Sequence, residues 1–423
     1  MGASRLARLV HLSDLHIVDV RSPLRFEWVE LLAADPYWRN LLHMHRPYES
    51  LAGWALAAHV EAINELSDVD LVISTGDNID NGQQNELDAY LALVRGRSVA
   101  LPADGSAQDA GDEQSWPFWC PDPAVADPLK DRGYPAVTNF LERVAEPIRS
   151  AGLRFPFVSV MGNHDLMCQG TSLFTPPMHA ALALRVKSFV GPPGFRPADP
   201  LIEFVEHPER FIGAAGREVA ADPGRRPVDR VGWLAAHGYD TADRFIDLEH
   251  VRVITLDTNH PSGDYQGSIG NSQLAWLDDT LDTVGAGRVA VVASHHGSRA
   301  LVNQRGDDHD RRQGDAMLAV LGRYPCVAVW LIGHGHRNHI IRHAGFPEIM
   351  TSSTIDWPSE HRVVDISRHH DGTIEVATTM RAPTPQAGSL AALHRDLAER
   401  FEGPAAALAR YGRPADRVVR LAS

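Results

Sequence analysis

The chain has 423 residues, of which 44% are hydrophobic and 22% are charged, as in ordinary globular proteins. This composition excludes wholesale disorder, a fibrous repeat and a disulfide-stapled miniprotein, and no run of about 18 consecutive apolar residues predicts a membrane span. The net charge of −14 argues against a protein that mainly grips nucleic-acid phosphates, so we expect no nucleic-acid polymer as a partner.

Cysteine usage and the amino-terminal sequence bear on location. Cys120, Cys168 and Cys326 are too few and too scattered for a disulfide framework. The first residues lack the apolar core and small-residue cleavage site of a secretory signal. We therefore expect a reducing, cytoplasmic location, and the sequence leaves the oligomeric state open.

Short apolar runs predict strands, because strands buried on both faces read as continuous hydrophobic segments. The strong runs are residues 6–12, 69–74, 155–160, 251–256, 289–293 and 327–332. Weaker runs follow at residues 348–351, 363–366 and 373–378. Helices are predicted over residues 51–66, 137–151, 272–284, 389–400 and 404–411. Ser272 is the predicted N-cap of the third helix.

Two long stretches interrupt this alternation of strands and helices. They cover about residues 97–135 and 170–250, and we interpret both as insertions over one core, because structureless loops of this length are uncommon. The predicted organisation is one domain over residues 1–380, followed by a helical tail over 381–423.

Five of the strong strands are each followed directly by acidic, amide or imidazole side chains. The segments are Asp14-Leu15-His16, Gly76-Asp77-Asn78, Gly162-Asn163-His164-Asp165, Ser294-His295-His296 and Gly333-His334-Gly335-His336. Each segment alone has an ordinary interpretation as a turn, a helix cap or a buried histidine. We favour one shared site, because all five follow apolar strands and α/β folds assemble sites at the carboxyl ends of strands.

The candidate metal ligands supply carboxylate, amide and imidazole groups and no thiolate. They are Asp14, His16, Asp77, Asn163, His295, His334 and His336. Such a set suits Mn, Fe, Zn or Ni and disfavours a structural thiolate zinc site. So many ligands suit two ions about 3.5–4 Å apart that share a bridging carboxylate. We therefore expect two divalent or mixed-valence metal ions as cofactors.

The five segments together resemble a known family. D-x-H, G-D, G-N-H-D, a histidine after a strand and G-H-x-H, in that order, are similar to the motifs of the calcineurin-like metallophosphoesterase superfamily. The motifs span residues 14–336, most of the chain. The resemblance implies an α/β fold, a β-sandwich of two mixed sheets flanked by helices, with the site in the loops after the strands.

The resemblance also implies a role for each ligand. One group would hold the first metal: Asp14, His16 and His336. A second group would hold the other metal: Asn163, His295 and His334. Asp77 would bridge the two ions, and His164 would contact the substrate phosphate as a charge stabiliser or general acid. The family usually uses the first histidine of such a pair, which favours His295 but leaves His296 open as the alternative.

Several neighbouring residues have less defined roles. Asp165 is interpreted as a catalytic residue that orients His164, and equally as a turn-stabilising side chain. Asn78 and His296, together with His164, are the candidate substrate contacts. Asp80, which follows the proposed bridging carboxylate, is interpreted as a rim residue or a solvated loop residue.

The predicted function is that of a binuclear metal-dependent phosphoesterase that hydrolyses a small phosphate ester with metal-activated hydroxide. A phosphodiesterase is favoured, because the His-His pair before G-H-x-H resembles the branch with cyclic nucleotide and glycerophosphodiester hydrolases. A phosphomonoesterase or protein phosphatase is the first alternative, and a nuclease of the superfamily is a further one. A non-catalytic metal-binding scaffold is disfavoured by the intact ligand set.

Overall fold

The computed structural model describes residues 3–32, 34–41, 45–101, 119–182, 186–213, 215–306 and 309–422. Its strands are β1 Ser4–Leu12, β2 Leu71–Ser74, β3 Phe157–Ser159, β4 Val186–Val190, β5 Ala215–Glu218, β6 Arg244–Asp247, β7 Val251–Leu256, β8 Ile269–Gly270, β9 Val289–Ser294, β10 Arg311–Arg312, β11 Val327–Ile332, β12 His339–Arg342, β13 Pro347–Met350, β14 His361–Arg368, β15 Ile374–Arg381 and β16 Val419–Ala422.

The α-helices of the described part are α1 Ala52–Asn64, α2 Gln84–Val94, α3 Pro128–Asp131, α4 Phe140–Val144, α5 Pro176–Leu182, α6 Pro200–Glu206, α7 Arg230–His237, α8 Asn271–Asp282, α9 Gly314–Leu321, α10 Leu390–Tyr411 and α11 Pro414–Arg417. Short 3₁₀ helices lie at Glu27–Leu32, Pro36–Leu41, Glu49–Leu51, Pro208–Phe211 and Pro223–Arg225. Among the described residues, no helix is both long enough and apolar enough to cross a membrane.

Two six-stranded mixed sheets form the centre of the fold. The first has the order β16-β15-β14-β1-β2-β3, and the second has the order β12-β13-β11-β9-β7-β6. In the first sheet β1, β2 and β3 run parallel, and in the second β7, β9, β11 and β13 run parallel. Parallel strands end at the same edge of their sheet, so each sheet presents its loops together.

The two sheets pack face to face, and helices cover their outer faces. Leu9 and Ile73 of the first sheet lie in one apolar cluster with Val253, Val291 and Leu331 of the second. Residues of α1, α2 and α10 pack in a cluster with the other face of the first sheet, and residues of α8 and α9 do so on the second. This architecture confirms the predicted α/β sandwich of two mixed sheets with flanking helices.

The structure corrects two details of the predicted helices. The helix predicted over 137–151 is short, Phe140–Val144, because Pro147 cannot donate a helical hydrogen bond and Ile148 instead pairs with Val99. Helix α8 begins one residue before Ser272, and its N-cap is Gly270, whose backbone N–H donates to the Gln273 side chain at 3.3 Å. The predicted cap at Ser272 was therefore wrong.

The carboxyl-terminal region continues the sandwich. The two predicted tail helices are the halves of α10, which is interrupted at Gly403, where φ is 71° and ψ is 162°. After α10 the chain returns as β16, which pairs antiparallel with β15. The domain boundaries and the two insertions stay predictions, and residues 102–118 of the first insertion lie outside the described residues.

Candidate metal centre

The five segments singled out in the sequence meet at one place in the fold. They follow β1, β2 and β3 of the first sheet and β9 and β11 of the second. The candidate ligands with a left-handed backbone, φ between 48° and 69°, are Asp14, His16, Asp77, His334 and His336. Non-glycine residues in this region cost about 1–3 kcal/mol each and cluster at functional sites, where the surrounding structure enforces them.

Four side chains converge on a first candidate metal position: Asp14, His16, Asp77 and His336. The Nε2 atoms of His16 and His336 lie 3.2 Å apart. Asp14 Oδ1 lies 3.3 Å from His336 Nε2, and Asp77 Oδ2 lies 3.8 Å from His16 Nε2. Asp14, His16 and Asp77 are buried, and the four side chains can bring one ligand atom each within 4.8 Å of the others.

A second group lies on the other side of Asp77. His295 Nε2 is 3.2 Å from Asp77 Oδ2 and 3.0 Å from Asn163 Oδ1. His334 is close enough to place a ring nitrogen within 4.8 Å of one from His295. The same Asp77 oxygen therefore faces histidines of both groups, which is the position of a bridging carboxylate.

Hydrogen bonds fix the orientation of three of these imidazoles. The Nδ1 atoms of His16 and His336 bond to the carboxylates of Asp80 and Asp356 at 2.7 and 2.5 Å. His295 Nδ1 donates to the Thr75 carbonyl at 2.7 Å. A proton held on each Nδ1 leaves the Nε2 lone pair directed into the site, as metal-binding histidines require.

This donor set fits two cations. In the neutral rings, the Nε2 lone pairs of His16 and His336 face each other across 3.2 Å, so a proton or a metal ion must lie between them. Asp14 and Asp77 add carboxylate oxygens around the same gap, which favours a divalent ion over a single proton. Around the second gap the donors are imidazole nitrogens, an amide oxygen and the Asp77 carboxylate.

The pKa values of these histidines are lowered in two cases and raised in two. Burial lowers the pKa of His16 to about 4 and that of His334 to about 3, which keeps both in the neutral form that binds metal. Burial also opposes charge on His295 and His336, but the carboxylates of Asp77 and Asp14, respectively, outweigh it and raise both pKa values to about 9. A metal ion that binds here must therefore displace protons.

His164 lies beside the two groups and lines the cavity. Its backbone N–H donates to Asp77 Oδ1 at 2.8 Å, and its Nδ1 donates to the Asp80 carbonyl at 2.7 Å. The ring meets His16 edge to face, with 4.6 Å between centroids. Because Nδ1 is occupied by the carbonyl, Nε2 is the atom of His164 that can exchange a proton with a substrate.

Asp165 does not contact His164 in the way expected from the sequence. Its carboxylate accepts from the Gly162 backbone at 2.7 Å and from the Asn78 side chain at 3.0 Å. Burial raises the pKa of Asp165 to about 7. Of the two interpretations of Asp165, the contacts support the turn-stabilising side chain: Asp165 ties two loops together, and the Asp80 carbonyl holds His164.

The other two candidate substrate contacts are enclosed by protein. Asn78 donates to Asp165 and Val160, and its oxygen accepts from Ser74 at 2.6 Å. His296 Nδ1 accepts from Thr258 at 2.9 Å, and its Nε2 donates to the Tyr265 carbonyl at 3.0 Å. With both nitrogens engaged, His296 offers no lone pair to a metal, which supports the choice of His295.

Gly162 shows why the third segment begins with glycine. A Cβ atom at this position would lie 2.2 Å from Asp77 Oδ1 and 2.3 Å from the Asp77 backbone nitrogen. The loop after β3 can approach the proposed bridging carboxylate only because this residue has no side chain.

A cavity of about 350 Å³ opens above the centre. Four of the candidate ligands and His164 form its floor, and four residues that the motifs did not reveal line it as well: Asn40, Arg46, Tyr265 and Arg410. Asp356, which holds His336, lies in the loop after β13, and its position in the sequence does not predict that contact. Asp80, interpreted from the sequence as a rim or solvated loop residue, is instead buried and holds His16 Nδ1.

A family model described as calcineurin-like phosphoesterase matches residues 109–338, more than half of the chain. The chain therefore belongs to this family. The matched range contains Asn163, His164, His295, His334 and His336, whereas the candidate ligands that follow β1 and β2 precede it.

Two curated relatives match a smaller part of the chain, and both are described as probable cyclic nucleotide phosphodiesterases. The one from Synechococcus sp. (strain WH7803) is 28% identical over 134 residues, 31% of this chain and 43% of the relative. The one from Rhodococcus erythropolis is 34% identical over 130 residues, 31% of this chain and 42% of the relative. The matches thus span less than half the length of these relatives.

Among solved structures, a dimetal phosphatase from Danio rerio aligns with 90% of this chain and 97% of its own. Its sequence is 13% identical and the TM-score is 0.42.

Proposed function

We propose that this chain is a binuclear metal-dependent phosphodiesterase that hydrolyses a small phosphate ester, with cyclic nucleotides and glycerophosphodiesters as the first candidates. Membership of the calcineurin-like phosphoesterase family supports hydrolysis of a phosphoric ester. The preference for a diester is supported by the two cyclic nucleotide phosphodiesterase relatives. The observation that carries the proposal is the Asp77 carboxylate, which faces one histidine group at 3.8 Å and the other at 3.2 Å.

In the proposed mechanism, Asp14, His16 and His336 would hold one metal and Asn163, His295 and His334 the other, with Asp77 shared between them. Mn, Fe, Zn or Ni would suit these donors and would supply hydroxide near neutral pH and positive charge at the phosphoryl oxygens. The buried Asp80 and Asp356 carboxylates keep the Nδ1 protons of His16 and His336 in place.

His164 is the proposed general acid. With Nδ1 held on the Asp80 carbonyl, its imidazolium form presents the Nε2 proton, and transfer of that proton neutralises the leaving alkoxide. For Asp165, Asn78 and His296 we propose positioning roles, because their polar atoms bond to neighbouring loops rather than line the cavity.

Hydrolysis of bis-p-nitrophenyl phosphate and p-nitrophenyl phosphate by metal-stripped protein, with and without Mn²⁺, tests this proposal. We expect metal-dependent turnover that favours the diester. Asp77→Asn should abolish that turnover, whereas Asp371→Asn at an exposed loop should leave it unchanged. Preference for the monoester would promote the phosphomonoesterase alternative. If two metals bind but neither model ester is hydrolysed, cyclic nucleotides and glycerophosphodiesters are assayed next, and failure of these as well would reject hydrolysis in favour of a scaffold.

A further inference from the structure

Two arginines form one wall of the cavity above the metal centre. Arg46 precedes α1, and Arg410 lies near the end of α10, so elements far apart in the chain bring them together. Their side chains are 12% and 29% exposed. Both lie outside the family-model match at 109–338, so this wall is built by the parts of the chain that surround the matched region.

Asp356 holds both arginines and a candidate metal ligand at once. Its Oδ1 accepts from Arg46 Nε at 2.7 Å and from the Tyr48 hydroxyl at 2.8 Å. Its Oδ2 accepts from His336 Nδ1 at 2.5 Å and from Arg410 at 3.1 Å. Arg410 Nε also pairs with Glu402 at 2.8 Å. The guanidinium groups are thereby fixed in place before any ligand arrives.

These contacts leave donors available on the arginines. Asp356 already accepts two bonds at each oxygen, and the bonds of Arg46 and Arg410 within the described residues use Nε and one terminal nitrogen of each. Asp77 is the one carboxylate among the described residues that line the cavity, and it is a candidate metal ligand. A loaded metal centre would therefore face two arginines that keep N–H donors available, although Asp80, Asp356 and Glu402 offset part of their charge.

We propose that Arg46 and Arg410 bind a second phosphoryl group of the substrate, next to the phosphoryl group that is hydrolysed. This inference rests on the proposed function and narrows its substrate class to phosphodiesters that carry another phosphate, which favours such esters over a simple cyclic nucleotide with a single phosphoryl group. Guanidinium groups suit this task because their planar donors match phosphate oxygens and they stay charged at every physiological pH. The pair lies on the side of the first metal group, since Asp356 links both arginines to His336.

A matched pair of substrates tests the assignment. Thymidine 5′-(p-nitrophenyl phosphate) and its 3′-phosphorylated form share the same reactive diester and differ by one phosphoryl group. For the metal-loaded protein we expect kcat/KM to be about 10- to 100-fold higher for the phosphorylated substrate, the range for hydrogen bonds to a charged group. In Arg410→Met this ratio should fall toward one, and Arg410→Lys should restore part of it.

The control is Arg400→Met, which removes an arginine from the exposed face of α10, away from the cavity. It should keep the wild-type ratio. A wild-type ratio near one would overturn the proposal. Equal losses on both substrates in Arg410→Met would also overturn it, because the arginine would then act on the hydrolysed phosphoryl group or only through Asp356.

A binding measurement separates this inference from the proposed function. If the metal-loaded protein turns over neither diester, calorimetry with thymidine 5′-phosphate and thymidine 3′,5′-bisphosphate still compares one phosphoryl group with two. Tighter binding of the bisphosphate, lost in Arg410→Met, would support the arginine site while the hydrolase proposal fails. Equal binding of both nucleotides would reject the arginine site.

Discussion

Asp80 and Asp356 act at the scale of single residues, because each holds the Nδ1 atom of a histidine whose Nε2 faces the proposed metal centre. Such outer carboxylates fix the tautomer and orientation of the ring and raise its basicity. Asp80 is bound in turn by Arg25, and Asp356 by Arg46 and Arg410, so neither carboxylate can rotate away without losing an ion pair.

Asp356→Asn is predicted to weaken metal binding at the first group. The amide cannot accept from His336 and both arginines as the carboxylate does, so His336 loses its fixed orientation. We expect metal affinity or turnover to fall about 10- to 100-fold. Competition of the protein against a metal-sensitive dye measures the affinity, with Asp371→Asn as a charge-matched control. Unchanged affinity together with unchanged turnover would contradict the positioning role.

His164→Ala is predicted to separate chemistry from metal binding. The ring contacts Asp80 and lies beside His16 without standing in either ligand group, so two metals should still bind. Turnover should fall about 10²- to 10⁴-fold, the usual size of a general acid contribution. Metal analysis and kinetics on the same preparation check this. Loss of metal along with activity would place His164 among the ligands.

The residues of the centre divide into those that the sequence can and cannot reveal. The predicted ligands follow buried apolar strands, and the edge of a parallel sheet brings such positions together whatever the length of the connections. Arg46 and Arg410 follow no strand that ends at this edge. Asp356 lies in the loop after β13, but its contacts with the two arginines and His336 depend on tertiary packing. Asp165 shows the limit of adjacency in sequence, because only the structure decides between its two interpretations and places its carboxylate on Gly162 rather than on His164.

At the scale of elements, the sequence identified the six strong strands because both of their faces are buried. It missed β6, whose side chains alternate between intermediate and exposed positions, and β16, a short edge strand near the chain end. It also missed α2, which follows the motif of the second strand after a short loop. The two strands carry weak hydrophobic patterns, so their sequences resemble loops, whereas α2 is largely buried and its miss has no such cause.

Helix α10 is predicted to contribute to stability mainly through its first half. Leu397 is fully buried in the cluster beneath α1, whereas Leu408 in the second half is 70% exposed. Leu397→Ala should therefore lower the free energy of unfolding by about 2–5 kcal/mol, and Leu408→Ala should change it little. Urea unfolding of both variants provides the comparison. Equal losses would show that α10 is packed along its whole length.

Three buried histidines connect elements across the whole molecule. His59 of α1, His361 of β14 and His394 of α10 are each at most 1% exposed, and His59 Nδ1 lies 3.1 Å from His361 Nδ1. Burial lowers the pKa of His361 to about 3 and that of His394 to about 4, and it holds the pKa of His59 well below its usual range. All three are therefore neutral in the folded protein under mildly acidic conditions.

This cluster predicts a loss of stability in acid. In the unfolded chain these histidines titrate near pH 6.5, so below that pH the unfolded state binds more protons and the free energy of unfolding falls as pH falls. Each histidine contributes up to about 1.4 kcal/mol per pH unit between roughly pH 5.5 and 4. Above about pH 7 the contribution is flat, because both states are then neutral.

His361→Asn should reduce the slope of the free energy of unfolding against pH by the contribution of one histidine, about 1.4 kcal/mol per pH unit. Urea unfolding of metal-stripped wild type and variant at several pH values from 8 to 4.5 measures both slopes, and removing the metals keeps acid-driven metal release out of the comparison. His250→Asn, at a half-exposed turn, is the matched control and should keep the wild-type slope. Equal slopes for His361→Asn and wild type would contradict the prediction. They would mean that His361 binds its proton in the folded protein as readily as in the unfolded chain.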